Sequence, residues 1–198
     1  LHFDGLDLQK FAEEQQTPLY LYSKNKIIDN LKEYQDSLSG LDHLICYSVK
    51  ANSALSILSL LGKHGCGFDI VSGGELNKSV QAGGDTSKIV FSGVGKTKEE
   101  IELAIKSDIL CFNVESEAEL SNINKLAADV GKKARIAIRV NPEIDAKTHA
   151  YIATGLSNSK FGLDQKTAVQ LYKTASKYDH IIIKGITFHI GSQITKLT

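Results

Sequence analysis

From Ile45 onward the chain alternates between short apolar runs and stretches of helical spacing, and no other feature restricts the fold as much. The runs are "HLICYSV", "GFDIVS", "KIVFSG", "ILCFNV", "KARIAIRVNP" and "HIIIKGITFHI". Each reads as mostly continuous apolar sequence, which marks parallel strands buried on both faces. Between them lie helical segments. Ser53 is the expected cap of one carrying Leu55, Ile57, Leu58 and Leu61, and "GGELNKSVQAG" is a short one closed by glycine. Thr97 precedes Glu100, and Ser116 precedes Glu119, by the three residues of a capping box. Asp164 is the expected cap of "DQKTAVQLYKTASKY".

Parallel strands alternating with helices form either a layered sheet or a barrel. An eight-stranded barrel takes about 250 residues, and this chain has 198. The spacing therefore leaves two architectures, an open six-stranded sheet or a barrel cut short. Ahead of Ile45, residues 6–15 read as a short helix, Pro18 opens the extended "PLYLYS", and Ser23 caps a helix carrying Ile27, Ile28, Leu31 and Leu38.

Lys and Arg total 23, as do Asp and Glu, and no long basic run occurs. That balance speaks against a nucleic-acid surface. An apolar fraction of 42% suits a folded globular chain. No apolar stretch reaches the length of a membrane span, and "LHFDGLDLQKF" lacks the basic and apolar regions of a signal peptide. Cys46, Cys66 and Cys111 lie far apart without a CxxC pair, so free thiols in a reducing, cytoplasmic setting are expected. No His/Cys cluster has ligand spacing, so no metal is expected.

In such chains functional groups collect at the carboxyl ends of the strands. Those ends supply Tyr47, Lys50 and Asn52; then Asp69, Ser72, Gly73, Gly74 and Glu75; then Ser92, Gly93, Gly95 and Lys96. Later ends supply Asn113 and Glu115, Arg139 and Asn141, and His189, Gly191, Ser192 and Gln193. Each has a plain structural alternative. Lys50 either snorkels to solvent or serves as an amine nucleophile. Asp69 and Ser72 are possible helix caps. Arg139 needs an anion, from a ligand or from an internal pair. His189 is either a core residue or a catalyst. The dinucleotide fingerprint GxGxxG is absent after the first strand.

The ordered motifs "YSVKAN", "GFDIVSGGEL", "KIVFSGVGKTKEEI", "CFNVESEAEL", "RIAIRVNPEIDAKTHAYIATGLSNSKFG" and "FHIGSQI" resemble the fold-type III pyridoxal-phosphate-dependent decarboxylases. Within that group they are similar to the diaminopimelate branch, and the likeness runs from about Thr17 to the end. Ornithine, arginine and carboxynorspermidine decarboxylases share some of these motifs, and a non-catalytic barrel homologue is a further alternative. The resemblance implies an alanine racemase-like TIM (β/α)8 barrel followed by a β-rich domain, in a homodimer. It implies that residues 1–22 belong with the β-rich domain and that residues 23–198 are a partial barrel, truncated after about six strands. The remaining strands, with further groups of the site, are expected outside this stretch, which by itself is expected to be inactive.

The activity implied is conversion of meso-2,6-diaminopimelate to L-lysine and carbon dioxide in lysine biosynthesis, with pyridoxal 5'-phosphate as cofactor. Lys50 matches the cofactor lysine. His189 matches the histidine that packs on the ring face, and Asp69 lies near the lysine in the family pattern. Gly191 and Ser192 match a phosphate contact, and Arg139 matches an arginine on the side of the ring's phenolic oxygen. Asn52, Glu75 and Lys160 fall in matched motifs and carry supporting or interface roles.

Overall fold

The computed structural model describes residues 1–144 and 161–192. They fall into two compact units, Leu1–Ile45 and the part beginning at Cys46. In the first, strands β1 (His2–Phe3) and β2 (Leu6–Asp7) form an antiparallel pair. Helix α1 (Leu8–Glu14) starts directly after β2, because the Asp7 carboxylate accepts from the Gln9 and Lys10 N–H groups. The "PLYLYS" run has no regular secondary structure beyond the bend at its start. Ser23 then caps α2 (Lys24–Ser37), as its sequence predicts, and also donates to Asp4.

The second unit holds six parallel strands: β3 (Cys46–Ser48), β4 (Gly67–Ile70), β5 (Ile89–Phe91), β6 (Cys111–Val114), β7 (Ala134–Arg139) and β8 (Ile181–Thr187). Helices α3 (Leu55–Lys63), α4 (Gly73–Gln81), α5 (Lys98–Lys106), α6 (Glu117–Val130) and α7 (Gln165–Ala175) lie between them in sequence. Spatial order equals chain order, so every strand pairs with the next and there is no switch point. A doubly wound open sheet reverses direction at such a point. Right-handed crossovers that always advance the same way put all their helices on one face. The two architectures left by the spacing thus resolve to an arc of a (β/α) barrel.

Alternation along each strand sorts the two faces. Phe68 and Ile70, Ile89 and Phe91, Phe112 and Val114, and Ile136 and Ile138 point to the helices and are buried. They pack with Leu58, Leu76, Ile101, Leu120 and Leu126 from the helical layer in one core. The opposite face carries Ser48, Asp69, Asn113 and Arg139 toward the strand ends.

Three elements depart from the sequence expectation. Ser53 does not cap α3. Ala54 is its N-cap, the Asn52 side chain takes the Ala54 N–H, and Ser53 accepts from Lys78 Nζ instead. Glu119 does not close a box with Ser116. It reaches one residue further back, to the Glu115 N–H, because its other oxygen is held by Lys96. The third is β8, which reads as a doubly buried strand. Among the described residues it pairs with β7 alone, and Ile182, Ile183 and Ile186 are exposed.

Candidate active site

The carboxyl ends of the strands open into one cleft of about 780 Å³, lined by Lys50, Asp69, Ser92, Asn113, Arg139, Phe161, His189 and Ser192 among others. Lys50 comes from a short 3-10 turn, Val49–Ala51, placed directly after β3. Buried Val49 anchors that turn, while Lys50 itself is exposed to the cleft. The lysine therefore stands past the strand rather than within it.

Asp69 is set by strand register. Ser48 of β3 lies opposite it and donates its hydroxyl to Asp69 Oδ2 at 3.3 Å. From the other side Ser92 donates to Asp69 Oδ1 at 2.6 Å, and Asn113 Nδ2 donates to Ser92 Oγ at 2.9 Å. Four consecutive strand ends thus contribute to one polar chain.

Arg139, at the end of β7, pairs with Glu115 through Nη1 and Oε1 at 3.2 Å. The internal ion pair that the sequence leaves open is therefore present. The second Glu115 oxygen accepts the Gly162 N–H at 3.0 Å, and the Phe161 ring lies 4.9 Å from the guanidinium carbon. Gly162 must be small here: at φ +72° a Cβ would stand 2.7 Å from Asn141 Oδ1. Arg139 Nε is buried and has no partner among the described residues. Buried donors of this kind are uncommon without an acceptor.

His189 and Ser192 follow β8, with Ser192 Oγ 3.5 Å from His189 Nε2. Partial burial, then Arg139 and Lys50, hold the imidazole below its ordinary pKa, against an opposing pull from Asp69. The ring is accordingly neutral at neutral pH. Gly191 lies between these two residues in the chain.

The remaining expected residues do other work. Asn52 accepts from the Ala54 N–H and, through its carbonyl, from the Tyr47 hydroxyl. Glu75 takes the Val71 N–H at 2.7 Å while Ser72 accepts the Glu75 N–H, closing the start of α4. Lys160 and Gln193 fall outside the described residues. Ser92 and Asn113 stand among the strand-end residues of the sequence, but their linkage does not. No local pattern signals a contact spanning 21 residues. Among the described residues, no three His, Cys, Asp or Glu residues stand together as metal ligands, and no helix is long and apolar enough to cross a membrane.

Residues 24–198 match the family model described as "Pyridoxal-dependent decarboxylase, pyridoxal binding domain". The chain is 47% identical over 197 residues to the diaminopimelate decarboxylase of Pseudomonas aeruginosa, covering 100% of this chain and 48% of that protein. It is 50% identical over 194 residues to that of Vibrio cholerae, covering 98% and 46%. A crystal structure of diaminopimelate decarboxylase from Helicobacter pylori complexed with L-lysine superposes with a TM-score of 0.93 at 46% identity, over 96% of this chain and 48% of that one. The chain spans about half the length of the curated relatives it matches.

Proposed function

The chain belongs to the pyridoxal-dependent decarboxylases, and from that membership we propose that the protein at its full natural length decarboxylates meso-2,6-diaminopimelate to L-lysine and carbon dioxide with pyridoxal 5'-phosphate. The observation that carries this reading is the convergence of Lys50, Asp69, Arg139, His189 and Ser192 on one cleft. The donor set fits an anionic, planar coenzyme. Lys50 offers an amine, Arg139 offers a guanidinium charge at the cleft wall, and Ser192 offers a hydroxyl beside a neutral ring.

When bound, pyridoxal phosphate supplies an electron sink for the carbon that loses carbon dioxide. Lys50 is the residue that holds the coenzyme, and its exposure to the cleft leaves the amine free to move as substrate enters. His189 presents an uncharged imidazole face against which a flat ring can be held level. Arg139 is kept rigid by Glu115 and Phe161, so its charge meets an oxygen without reorganisation. Ser192 and the Gly191 backbone take the phosphate. Asp69 holds negative charge near the lysine and the histidine. Asn52 and Glu75 support the turns on either side of Asp69's strand, and Lys160 remains assigned to support of substrate or interface.

Residues 1–22 are assigned to a β-rich domain and residues 23–198 to the barrel, a division supported by the start of the family match at residue 24. A homodimer in the cytoplasm is the corresponding assembly, and free thiols at all three cysteines suit a reducing compartment. The test is a panel of diaminopimelate, ornithine, arginine and carboxynorspermidine, read by carbon dioxide release, with mass spectrometry of the borohydride-reduced protein. The expected result is turnover of diaminopimelate and a coenzyme adduct on Lys50, lost in Lys50→Ala. An adduct on another residue, or a preference for another amino acid, overturns the reading.

A further inference from the structure

We propose that Ser92, directed by Asn113, is a positioning residue that fixes which way the Asp69 carboxylate faces in the cleft. The proposal rests on the decarboxylase reading for its consequence, and on hydrogen-bond geometry for its substance. A serine hydroxyl has one proton to give. Asn113 Nδ2 donates to Ser92 Oγ at 2.9 Å, so that proton cannot point back at the amide and is committed to Asp69 Oδ1, 2.6 Å away. Short bonds from a hydroxyl to a carboxylate are the stronger, charge-assisted kind. Ser48 donates to Oδ2 at the longer distance of 3.3 Å. Oδ1 is thus tied down by Ser92, and Oδ2 keeps most of its acceptor capacity.

The backbone around the relay is clamped as well. The Ser92 N–H donates to the Ile70 carbonyl at 2.8 Å, extending the pairing of β4 and β5 by one residue. Lys96 Nζ donates to the carbonyls of Gly93 at 2.7 Å and Asn113 at 2.9 Å, bridging the residue after Ser92 to the asparagine that directs it. Its side chain is 1% exposed. The hydrogen bonds on both sides of Ser92 thus set the carboxylate plane before any ligand arrives. The charged and titratable groups sharing the cleft with Asp69 are Lys50, Arg139, His189 and Cys46. Asp69 and His189 line the same cleft. Fixing the carboxylate sets which of its oxygens faces the cleft that Lys50 and His189 share.

The test uses the protein at its full natural length, with and without pyridoxal phosphate. In the loaded protein, Ser92→Ala is expected to lower kcat about 10- to 100-fold with KM within about threefold. It is also expected to move the pH midpoint of the bound coenzyme's absorption band by about half a unit. Asn113→Ala should act in the same direction. The double variant should be no worse than Ser92→Ala, because each step of the relay needs the other. Ser92→Thr, which keeps the hydroxyl, should restore both readouts, and it carries the test with Asn113→Ala if Ser92→Ala does not fold. An unmoved midpoint, or losses that multiply in the double variant, overturns the proposal. In coenzyme-free protein the His189 imidazole, titrated by NMR, should shift in Ser92→Ala, and an unmoved titration also overturns it. Failure of the wild-type protein to bind the coenzyme would instead refute the decarboxylase reading, and the His189 titration would still decide the relay.

Discussion

Lys96 and Glu119 form an ion pair of 2.6 Å beneath the strand ends, with 1% and 11% of their side chains exposed. The ammonium has three donors, and all three are used: Glu119 Oε1, the Gly93 carbonyl and the Asn113 carbonyl. The Phe91 ring lies 5.6 Å below it. The second Glu119 oxygen takes the Glu115 N–H at 2.8 Å, and Glu115 in turn holds Arg139. One buried charge thus links β5, β6 and α6 to the guanidinium in the cleft.

Removing one partner of that pair leaves the other charge buried. Lys96→Met is therefore expected to destabilise the protein by about 3–5 kcal/mol, measured by urea denaturation. Combining it with Glu119→Leu should recover part of the loss, since no charge is then stranded. A Lys96→Met protein within about 1 kcal/mol of wild type would show that solvent reaches Glu119 readily.

Two glycines should respond with opposite sign to the same substitution. A Cβ at Gly67 would stand 2.2 Å from the Lys88 carbonyl oxygen and 2.9 Å from Cys46 Sγ. Backbone on one side cannot yield cheaply, so Gly67→Ala should cost about 1–3 kcal/mol or more. Gly62 lies within α3, and its added Cβ would meet the Phe68 ring at an ordinary 3.6 Å. Gly62→Ala should stabilise by about 0.5–1 kcal/mol, through the reduced entropy of the unfolded chain. Thermal melts of the two variants read the contrast directly.

Glu100 gives a pH signature. Backbone N–H groups of Thr97 and Gly73 donate to its carboxylate and hold its pKa below the ordinary 4.5. A carboxylate with a depressed folded value adds stability that is complete above the unfolded value and is lost as pH falls through the folded one. The gap in urea midpoint between wild type and Glu100→Gln should hold steady above about pH 5 and shrink on further acidification. A gap that widens at acid pH would contradict the assignment.

The thiols should be inert in the native state. Burial, followed by the nearby negative charge of Asp69, pushes Cys46 up to about 11. Burial also raises Cys66 and Cys111. The nucleophile is the thiolate, so a disulfide reagent at neutral pH should find almost no fast-reacting group until the protein is unfolded, when all 3 cysteines react. A fast native thiol would refute this for whichever cysteine carries the label.

Much of the fold was legible because local rules and global packing agree. Thr97 and Glu100 sit at box spacing and form the box. Ser23, Ser72 and Asp164 read as caps and are caps. Ser53 misled because a serine before an apolar run satisfies the same pattern as a cap, while Asn52 was better placed to take the Ala54 N–H. Glu119 misled for a non-local reason, since Lys96 competes for its carboxylate. The polar residues that line the cleft were legible because each ends a strand or follows one, whereas Phe161, which lies against the Arg139 guanidinium, carries no such signal. Their linkages were not: the bonds of Asp69 to Ser48 and Ser92 span 21 and 23 residues.

Apolar periodicity and capping chemistry act within a few residues, so the amino-acid order alone determined the succession of strands and helices and the strand ends where polar groups gather. Strand order, the pairing of Arg139 with Glu115 and the Asn113–Ser92–Asp69 relay were decided by the tertiary structure. They depend on register between neighbouring strands, and register exists only once those strands are paired.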